Sequence, residues 1–225
     1  MGYKYILLDA DNTLFDFTLA ERIALHEVFA LQGVELTDEQ HHAYHLINDA
    51  LWKALERGET TREKLKTQRF AEFLDYLDSD IKQTPAEIAD GYVKLLAKQQ
   101  HLIDGANELC EYLYGKYKLY IITNGISFVQ HSRFDTSPIS GYFERIFISD
   151  EMGTAKPERA FFDKVEEYIG SDDVSEYLVI GDSLSSDIQG AVNFGCDSVW
   201  VSSDGKSDER PTYTVKDLNA ICDIL

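Results

Sequence analysis

The amino-acid sequence predicts an α/β fold in which a parallel-sheet core is interrupted by a long helical insertion. From Gly105 onward, helical stretches alternate with short apolar runs, which is the pattern of βαβ units and a parallel sheet. From about residue 18 to residue 100, the apolar residues follow helical spacing without a strand-like run. We therefore predict an α/β core formed by residues 1–16 and 101–225, and a helical domain formed by residues 17–100.

The first predicted element is a strand over residues 3–10. Its centre, Ile6-Leu7-Leu8, is apolar at consecutive positions, as expected of a strand covered on both faces of its sheet. Four later apolar runs are predicted to be parallel strands, at residues 118–122, 145–148, 177–180 and 198–201. The core is thus expected to contain at least five strands.

Four helices are predicted in the insertion. Gly33 and Gly58 are placed as helix ends, where a left-handed backbone conformation is favoured. Three segments resemble capping boxes, in which a hydroxyl and the side chain three residues later satisfy free backbone N–H groups. These segments are Thr37-x-x-Gln40, Thr60-x-x-Glu63 and Thr84-Pro85-x-Glu87.

The charge balance argues against several classes of partner. The 225 residues include 21 Lys and Arg against 40 Asp and Glu, which gives a formal net charge of −19. Such a charge opposes docking onto nucleic acids or anionic membranes, and any anionic ligand must meet a local positive site or a metal ion. The N-terminal apolar run is short and is followed at once by Asp9, which fits neither a signal peptide nor a membrane span. We expect a soluble, cytoplasmic protein; no heptad pattern predicts its oligomeric state.

Polar residues follow three of the predicted strands. They are Asp9, Asp11 and Thr13 after the first, Thr123 and Asn124 after the second, and Asp182 and Asp187 after the strand that begins at Tyr177. Because ligands of open parallel sheets bind beyond the carboxyl ends of the strands, we expect these side chains to surround one point. Several carboxylates crowd together only at a cost unless a cation neutralises them. Mg²⁺, which prefers oxygen ligands, is the natural candidate.

Two other patterns suggest different chemistry. Gly181-Asp182-Ser183-Leu184-Ser185 matches the signature of the GDSL esterases, whose nucleophilic serine is served by a later histidine. Here no histidine follows His131, which argues against that hypothesis. His41 and His45 lie at helical spacing and could hold a metal ion, but no third ligand is evident and a solvated patch is the simpler interpretation.

Four segments match, in chain order, the motifs of the haloacid dehalogenase-like hydrolases, and the predicted core resembles that family. They are Asp9-Ala10-Asp11-Asn12-Thr13, Thr123-Asn124-Gly125, Lys156-Pro157, and Gly181-Asp182-Ser183 with Asp187. The resemblance implies a Rossmann-like core, with the helical insertion as the family's cap domain. Shorter stretches resemble the bacterial pyrimidine 5′-nucleotidase branch: Leu51-Trp52, Arg69-Phe70, the Gln130 and Arg133 that follow Thr123-Asn124-Gly125, and Gly153-Thr154-Ala155-Lys156-Pro157.

The resemblance also implies catalytic and metal-binding roles. Asp9 attacks phosphorus to form an aspartyl-phosphate, and Asp11 acts as general acid and base. Mg²⁺ is held by Asp9, the main-chain carbonyl of Asp11 and Asp182, while Asp187 orders its waters.

The remaining implied roles concern the substrate. Thr123 and the amide of Asn124 bind phosphoryl oxygens, and Lys156 neutralises the charge that develops there. Trp52 and Arg69, on the inserted helices, are candidate substrate contacts, with helix-bundle core as the alternative for such residues.

The resemblance implies a Mg²⁺-dependent phosphomonoesterase that acts on nucleoside 5′-monophosphates. Dehalogenases of the family lack the acid–base residue at the second position, so Asp11 favours phosphoryl chemistry. A sugar-phosphate phosphatase or a phosphomutase shares the same core and is the alternative. A non-catalytic metal-binding relative typically loses the nucleophile or the lysine, and both Asp9 and Lys156 are present here.

Overall fold

A computed structural model describes residues 2–78 and 81–225. Its strands and α-helices are, in chain order, β1 (Tyr5–Leu8), α1 (Phe17–Ala30), α2 (Asp38–Glu56), α3 (Arg62–Leu77), α4 (Pro85–Leu96), α5 (Ala106–Leu113), β2 (Lys118–Thr123), α6 (Ser127–Phe134), β3 (Phe143–Ile148), α7 (Ser149–Met152), α8 (Arg159–Ile169), β4 (Tyr177–Gly181), α9 (Gln189–Phe194), β5 (Asp197–Val201) and β6 (Tyr213–Val215). A π-helical turn, Leu184–Ile188, joins β4 to α9.

The strands form one parallel sheet in the order β3-β2-β1-β4-β5-β6. The predicted α/β class is therefore confirmed, and β6 is a strand beyond the five that the apolar runs predict. Leu8, the last residue of β1, pairs with Ile121 of β2 and Ile180 of β4. The three central strands consequently end at nearly the same level, which brings the residues that follow them together.

The sheet is covered on both faces, as the consecutive apolar residues of β1 predict. Ile6 and Leu8 belong to one buried apolar cluster, whereas Leu7 belongs to a second cluster. Successive side chains of a strand point to opposite faces, so the two clusters lie on the two sides of the sheet. All three side chains are fully buried, which fixes the register of β1 strongly.

The chain divides into two compact units, one formed by residues 1–17 and 100–225 and the other by residues 18–99. The second unit is helical and contains an aromatic core. The core rings are those of Phe29, Tyr44, Phe70, Phe73 and Tyr92, whose contacting centroids lie 5.2 to 6.0 Å apart. None of the helices within residues 2–78 and 81–225 has both the length and the apolarity needed to cross a bilayer.

Two of the three predicted capping boxes are confirmed. The Thr37 and Thr84 hydroxyls each accept a hydrogen bond from the backbone N–H of the residue three positions later. The Gln40 and Glu87 side chains accept hydrogen bonds from the backbone N–H groups of Thr37 and Thr84. The prediction for Thr60 is wrong, because the neighbouring Thr61 caps α3 and accepts the backbone N–H of residue 64. The lysine at that position has no side-chain acceptor for the backbone N–H of Thr61, whereas the Glu or Gln of a capping box has one. This helix therefore begins with one side-chain capping hydrogen bond.

Candidate active site

Three buried or half-buried carboxylates meet at the carboxyl end of the sheet. Asp9 directly follows β1, and its N–H donates to the carbonyl of Ile180 in β4 at 2.8 Å. Asp182 follows β4, and Asp187 lies in the π-helical turn that comes next. One carboxylate oxygen from each of Asp9, Asp182 and Asp187 lies within 4.8 Å of the other two. Parallel strand ends thus assemble a cluster whose members are far apart in sequence.

Lys156 lies between two of these carboxylates. Its Nζ donates to Asp9 Oδ1 at 2.5 Å, to Asp187 Oδ1 at 2.6 Å and to the carbonyl of Ile122 at 2.9 Å. Burial by itself lowers the pKa of a lysine, but here the charges of Asp187 and Asp9 outweigh burial and raise the pKa of Lys156. Lys156 therefore holds a positive charge beside the first carboxylate of the cluster.

The carboxylates outnumber this one cation. Burial, followed by the charge of Asp187, raises the pKa of Asp9 well above its ordinary value, although Lys156 acts in the opposite direction. Burial and the charge of Asp187 likewise raise the pKa of Asp182 to about 7. The site offers oxygen ligands and uncompensated negative charge, so these residues fit a hard divalent cation.

Asp187 is held in place on both sides of its carboxylate. One oxygen accepts the Lys156 bond, and Oδ2 accepts the backbone N–H of Ser183 at 3.0 Å. A Cβ at Gly181 would lie 2.2 Å from Oδ2, so the last residue of β4 has to be a glycine for space. The sequence motif includes Gly181, but this steric reason for a glycine is evident only from the structure.

Asp182 is fixed by neighbours from two other elements. Thr13 donates its hydroxyl to Asp182 Oδ1 at 3.3 Å, and Trp200 Nε1 donates to the Asp182 main-chain carbonyl at 2.7 Å. Thr13 is fully buried, and Trp200 lies in β5. The Asp182 carboxylate is therefore oriented from the loop after β1, while β5 holds the Asp182 main chain.

The end of β2 connects to Lys156 through Asn124. The Asn124 side chain donates to the Lys156 carbonyl at 2.8 Å and accepts the Lys156 backbone N–H at 3.0 Å. The hydroxyl oxygen of buried Thr123 accepts the backbone N–H of Gly125 at 3.0 Å, and the hydroxyl still carries a hydrogen to donate. The Asn124 side chain thus positions Lys156. This role is additional to the expected binding of phosphoryl oxygens by the Asn124 amide.

The carboxylate of Asp11 has different neighbours. Gln130 Nε2 donates to Asp11 Oδ2 at 2.7 Å, and Arg133 Nη2 forms a close ion pair with Oδ1. The Asp11 side chain is about a quarter exposed, whereas the Arg133 side chain is fully buried. The sequence motifs include Gln130 and Arg133 but assign no role to either residue. Their spacing of three residues on one helix predicts that they share a face of that helix.

Arg69 and Trp52 lie in the helical unit. Arg69 is 1% exposed, and its Nη1 donates to Asn48 Oδ1 at 3.1 Å. Its guanidinium carbon lies 4.8 Å from the ring centroid of Tyr92. Trp52 is half-buried, with the guanidinium of Arg62 5.9 Å from its ring. Arg69 therefore lies in the interior of this unit and Trp52 nearer its surface.

The two alternative chemistries find no support in the geometry. The hydroxyl of Ser183 accepts the backbone N–H of Ser186 at 3.2 Å, so this serine caps the turn after β4. His45 Nδ1 pairs with buried Glu21 at 2.9 Å. Within the described ranges, the cluster of three aspartates is the group of His, Cys, Asp and Glu residues that could hold a metal ion, and His41 does not belong to it.

Comparisons with known proteins agree with the geometry. The sequence model of the family described as haloacid dehalogenase-like hydrolase matches residues 3–195. The chain is 34% identical to pyrimidine 5′-nucleotidase PynA of Streptococcus pneumoniae, over 100% of this chain and 96% of that protein. It is 31% identical to pyrimidine 5′-nucleotidase YjjG of Escherichia coli, over 100% of this chain and 99% of that protein.

A solved structure resembles the whole chain. The HAD-hydrolase YfnB of Bacillus subtilis, in a crystal form bound to magnesium, superposes with a TM-score of 0.93 at 35% identity. The match covers 100% of this chain and 99% of that chain. The similarity therefore extends over both compact units.

Proposed function

As the chain belongs to the haloacid dehalogenase-like hydrolase family, we propose that it is a Mg²⁺-dependent phosphatase of nucleoside 5′-monophosphates, with pyrimidine nucleotides as the preferred class. The observation that carries the chemistry is the buried contact of Asp9 with Lys156, beside Asp182 and Asp187. The substrate class rests on the two full-length relatives that are named pyrimidine 5′-nucleotidases. The expected partner is thus a small phosphate ester.

The first chemical step forms a covalent intermediate on Asp9. A carboxylate oxygen of Asp9 bonds to phosphorus while the bond between phosphorus and the leaving oxygen breaks. Asp11 gives its proton to that oxygen, so the nucleoside leaves as an alcohol and Asp11 becomes a carboxylate. Asp11 stands two residues after Asp9 at the same strand end, which suits it to this second role.

The second step returns the site to its starting state. The Asp11 carboxylate takes a proton from water, and the water oxygen bonds to phosphorus as the bond to Asp9 breaks. Inorganic phosphate and a free Asp9 carboxylate are the products. Lys156, 2.5 Å from Asp9, is proposed to neutralise the charge that develops on the transferring group. The hydroxyl of Thr123 and the amide of Asn124 are proposed to donate hydrogen bonds to its oxygens.

Mg²⁺ fits the donor set of this site. Asp9 and Asp182 would hold it together with the main-chain carbonyl of Asp11, and Asp187 would orient its waters while remaining bonded to Lys156. The bound ion supplies positive charge to the phosphate oxygens.

The helical insertion, residues 17–100, is proposed to be the cap domain that selects the substrate. Trp52 offers a half-buried ring on which a base can stack, and the buried guanidinium of Arg69 offers hydrogen-bond donors. Both residues are therefore proposed as substrate contacts.

The decisive experiment is phosphate release from nucleoside monophosphates, sugar phosphates and p-nitrophenyl phosphate, with Mg²⁺ or with EDTA. Asp9→Asn should lower kcat by at least about 1000-fold while preserving the circular dichroism spectrum. Asp163→Asn, the same change at an exposed ion pair on α8, is the matched control. Appreciable turnover by Asp9→Asn would contradict the assignment of the nucleophile.

The same panel tests the substrate class. A preference for uridine and thymidine monophosphates is the expected result, and Trp52→Ala should reduce that preference more than it reduces hydrolysis of p-nitrophenyl phosphate. Phosphate release from sugar phosphates alone would be consistent with the proposed mechanism but would contradict nucleotides as the substrate class. Equal losses on all esters would assign Trp52 to the helix core.

A further inference from the structure

Both oxygens of the Asp11 carboxylate are held by one helix. Gln130 Nε2 donates to Oδ2 at 2.7 Å, and Arg133 Nη2 pairs with Oδ1. Arg133 Nη2 also donates to Gln130 Oε1 at 3.0 Å, so the three side chains form a closed ring of hydrogen bonds. This ring fixes both the direction of the Asp11 side chain and the plane of its carboxylate.

The two helix residues are themselves rigidly held. Gln130 is 1% exposed and Arg133 is fully buried, three residues apart on α6. The guanidinium of Arg133 lies over the ring of Phe15, with 4.9 Å from its carbon to the centroid. A Cβ at Gly125 would lie 1.9 Å from Gln130 Nε2, so glycine leaves the space in which the amide reaches Asp11.

We infer that Gln130 and Arg133 are positioning residues that hold Asp11 in the orientation needed for proton transfer, an inference that rests on the proposed phosphatase function. Each carboxylate oxygen has two lone-pair directions, and Gln130 and Arg133 use one on each oxygen. The second lone-pair direction of each Asp11 oxygen then serves the leaving oxygen or the attacking water. Proton transfer requires a donor and acceptor in hydrogen-bond reach, so a rotated Asp11 loses efficiency.

This role has a consequence that depends on the leaving group. A nucleoside leaves as an alkoxide unless it receives a proton, whereas p-nitrophenolate is stable as an anion and leaves with little help from an acid. Misplacing Asp11 therefore slows the alkyl ester more than the aryl ester. A residue that merely stabilised the fold would slow both esters equally.

The test variant is Gln130→Leu, which removes the amide without adding or deleting a charge. We expect kcat for a nucleoside 5′-monophosphate to fall at least about 10-fold, with KM changed less than about 2-fold. The loss of kcat for p-nitrophenyl phosphate should be at least about 3-fold smaller. His131→Gln, one residue further along α6, breaks an exposed pair with Glu151 and serves as the matched control.

A double-mutant cycle separates positioning from general damage. In an Asp11→Asn background, Gln130→Leu should cause no further loss of kcat for p-nitrophenyl phosphate, because its partner is already disabled. Additive losses, equal losses on both esters, or a change confined to KM would each overturn the inference. A wild-type protein that releases phosphate from no ester would instead refute the proposed function, and the inference with it.

Discussion

Lys156→Met is the substitution that tests the electrostatics of the site most directly. Methionine keeps most of the apolar length of lysine, so the change removes the ammonium group and leaves little cavity. Two buried carboxylates and one buried carbonyl then lose their shared donor, since Lys156 Nζ bonds to Asp9, Asp187 and Ile122. The variant therefore isolates the contribution of one buried charge.

The expected cost follows from burial. The Lys156 side chain is 1% exposed and that of Asp187 is fully buried, so water cannot replace the lost bonds. Removing one member of such a pair typically destabilises a protein by about 3–5 kcal/mol. We expect a loss of that size in EDTA and a smaller deficit with Mg²⁺, because a cation that binds the folded carboxylates stabilises the folded state.

The assay is urea unfolding followed by tryptophan fluorescence. The chain has two tryptophans, Trp52 in the helical unit and Trp200 in the unit that contains the site. A Trp52→Phe background leaves Trp200 as the single reporter, so its transition follows the unit that contains Lys156. The m-value shows whether the variant changes stability alone or also the surface exposed on unfolding.

The control replaces a lysine on the surface. Lys94→Met removes an exposed pair with Asp90 on α4 and should leave the midpoint of unfolding nearly unchanged. A decrease in the free energy of unfolding below about 1 kcal/mol for Lys156→Met in EDTA would refute the view that its ammonium compensates buried carboxylates. Exposed ion pairs contribute no more than that amount.

Two further predictions concern other parts of the chain. Gly125→Ala should lower kcat for nucleotides about 10-fold with little change in Tm, because the new Cβ displaces the amide end of the Gln130 side chain from Asp11. Steady-state kinetics and thermal melting measure both effects, and unchanged kcat would contradict the steric reason given for this glycine. The hydrogen bond to Glu21 raises the pKa of His45, so its stabilising effect is present below the unfolded pKa and lost as pH rises through the folded one. The gap in unfolding midpoint between wild type and His45→Gln should therefore be larger at about pH 6 than at about pH 8.5, and an opposite trend would show that the pair does not act this way.

The sequence predicts that the candidate site residues gather at one edge of the sheet, because parallel strands end together. Asp9 and Asp182 each follow a strand whose last three residues are buried, and those strands are neighbours in the sheet. An apolar run therefore identifies the residue that comes after it as one at the carboxyl edge. Local hydrogen-bonding signals were similarly sufficient to place two of the helix starts.

Other contacts depend on tertiary structure and have no local signal. Lys156 and Asp187 meet across 31 residues, and both come from turns whose course depends on the packing of their helices. Thr60 and Thr61 offer the same hydroxyl chemistry at adjacent positions, so sequence alone cannot choose between them. The three residues of β6 are too few for a periodic pattern and gain their strand geometry by pairing with β5.

The charges around the site resolve the apparent conflict between an acidic protein and an anionic substrate. Four aspartates of the first and last motifs face two buried cations: Lys156 compensates within the carboxylate cluster, and Arg133 compensates Asp11. When all four carboxylates are ionised, two negative formal charges remain, which is the charge that one divalent ion neutralises. On the proposed function, Mg²⁺ would change a site that repels a phosphate ester into one that accepts it, and the net charge of −19 disfavours polyanions without excluding a small ester.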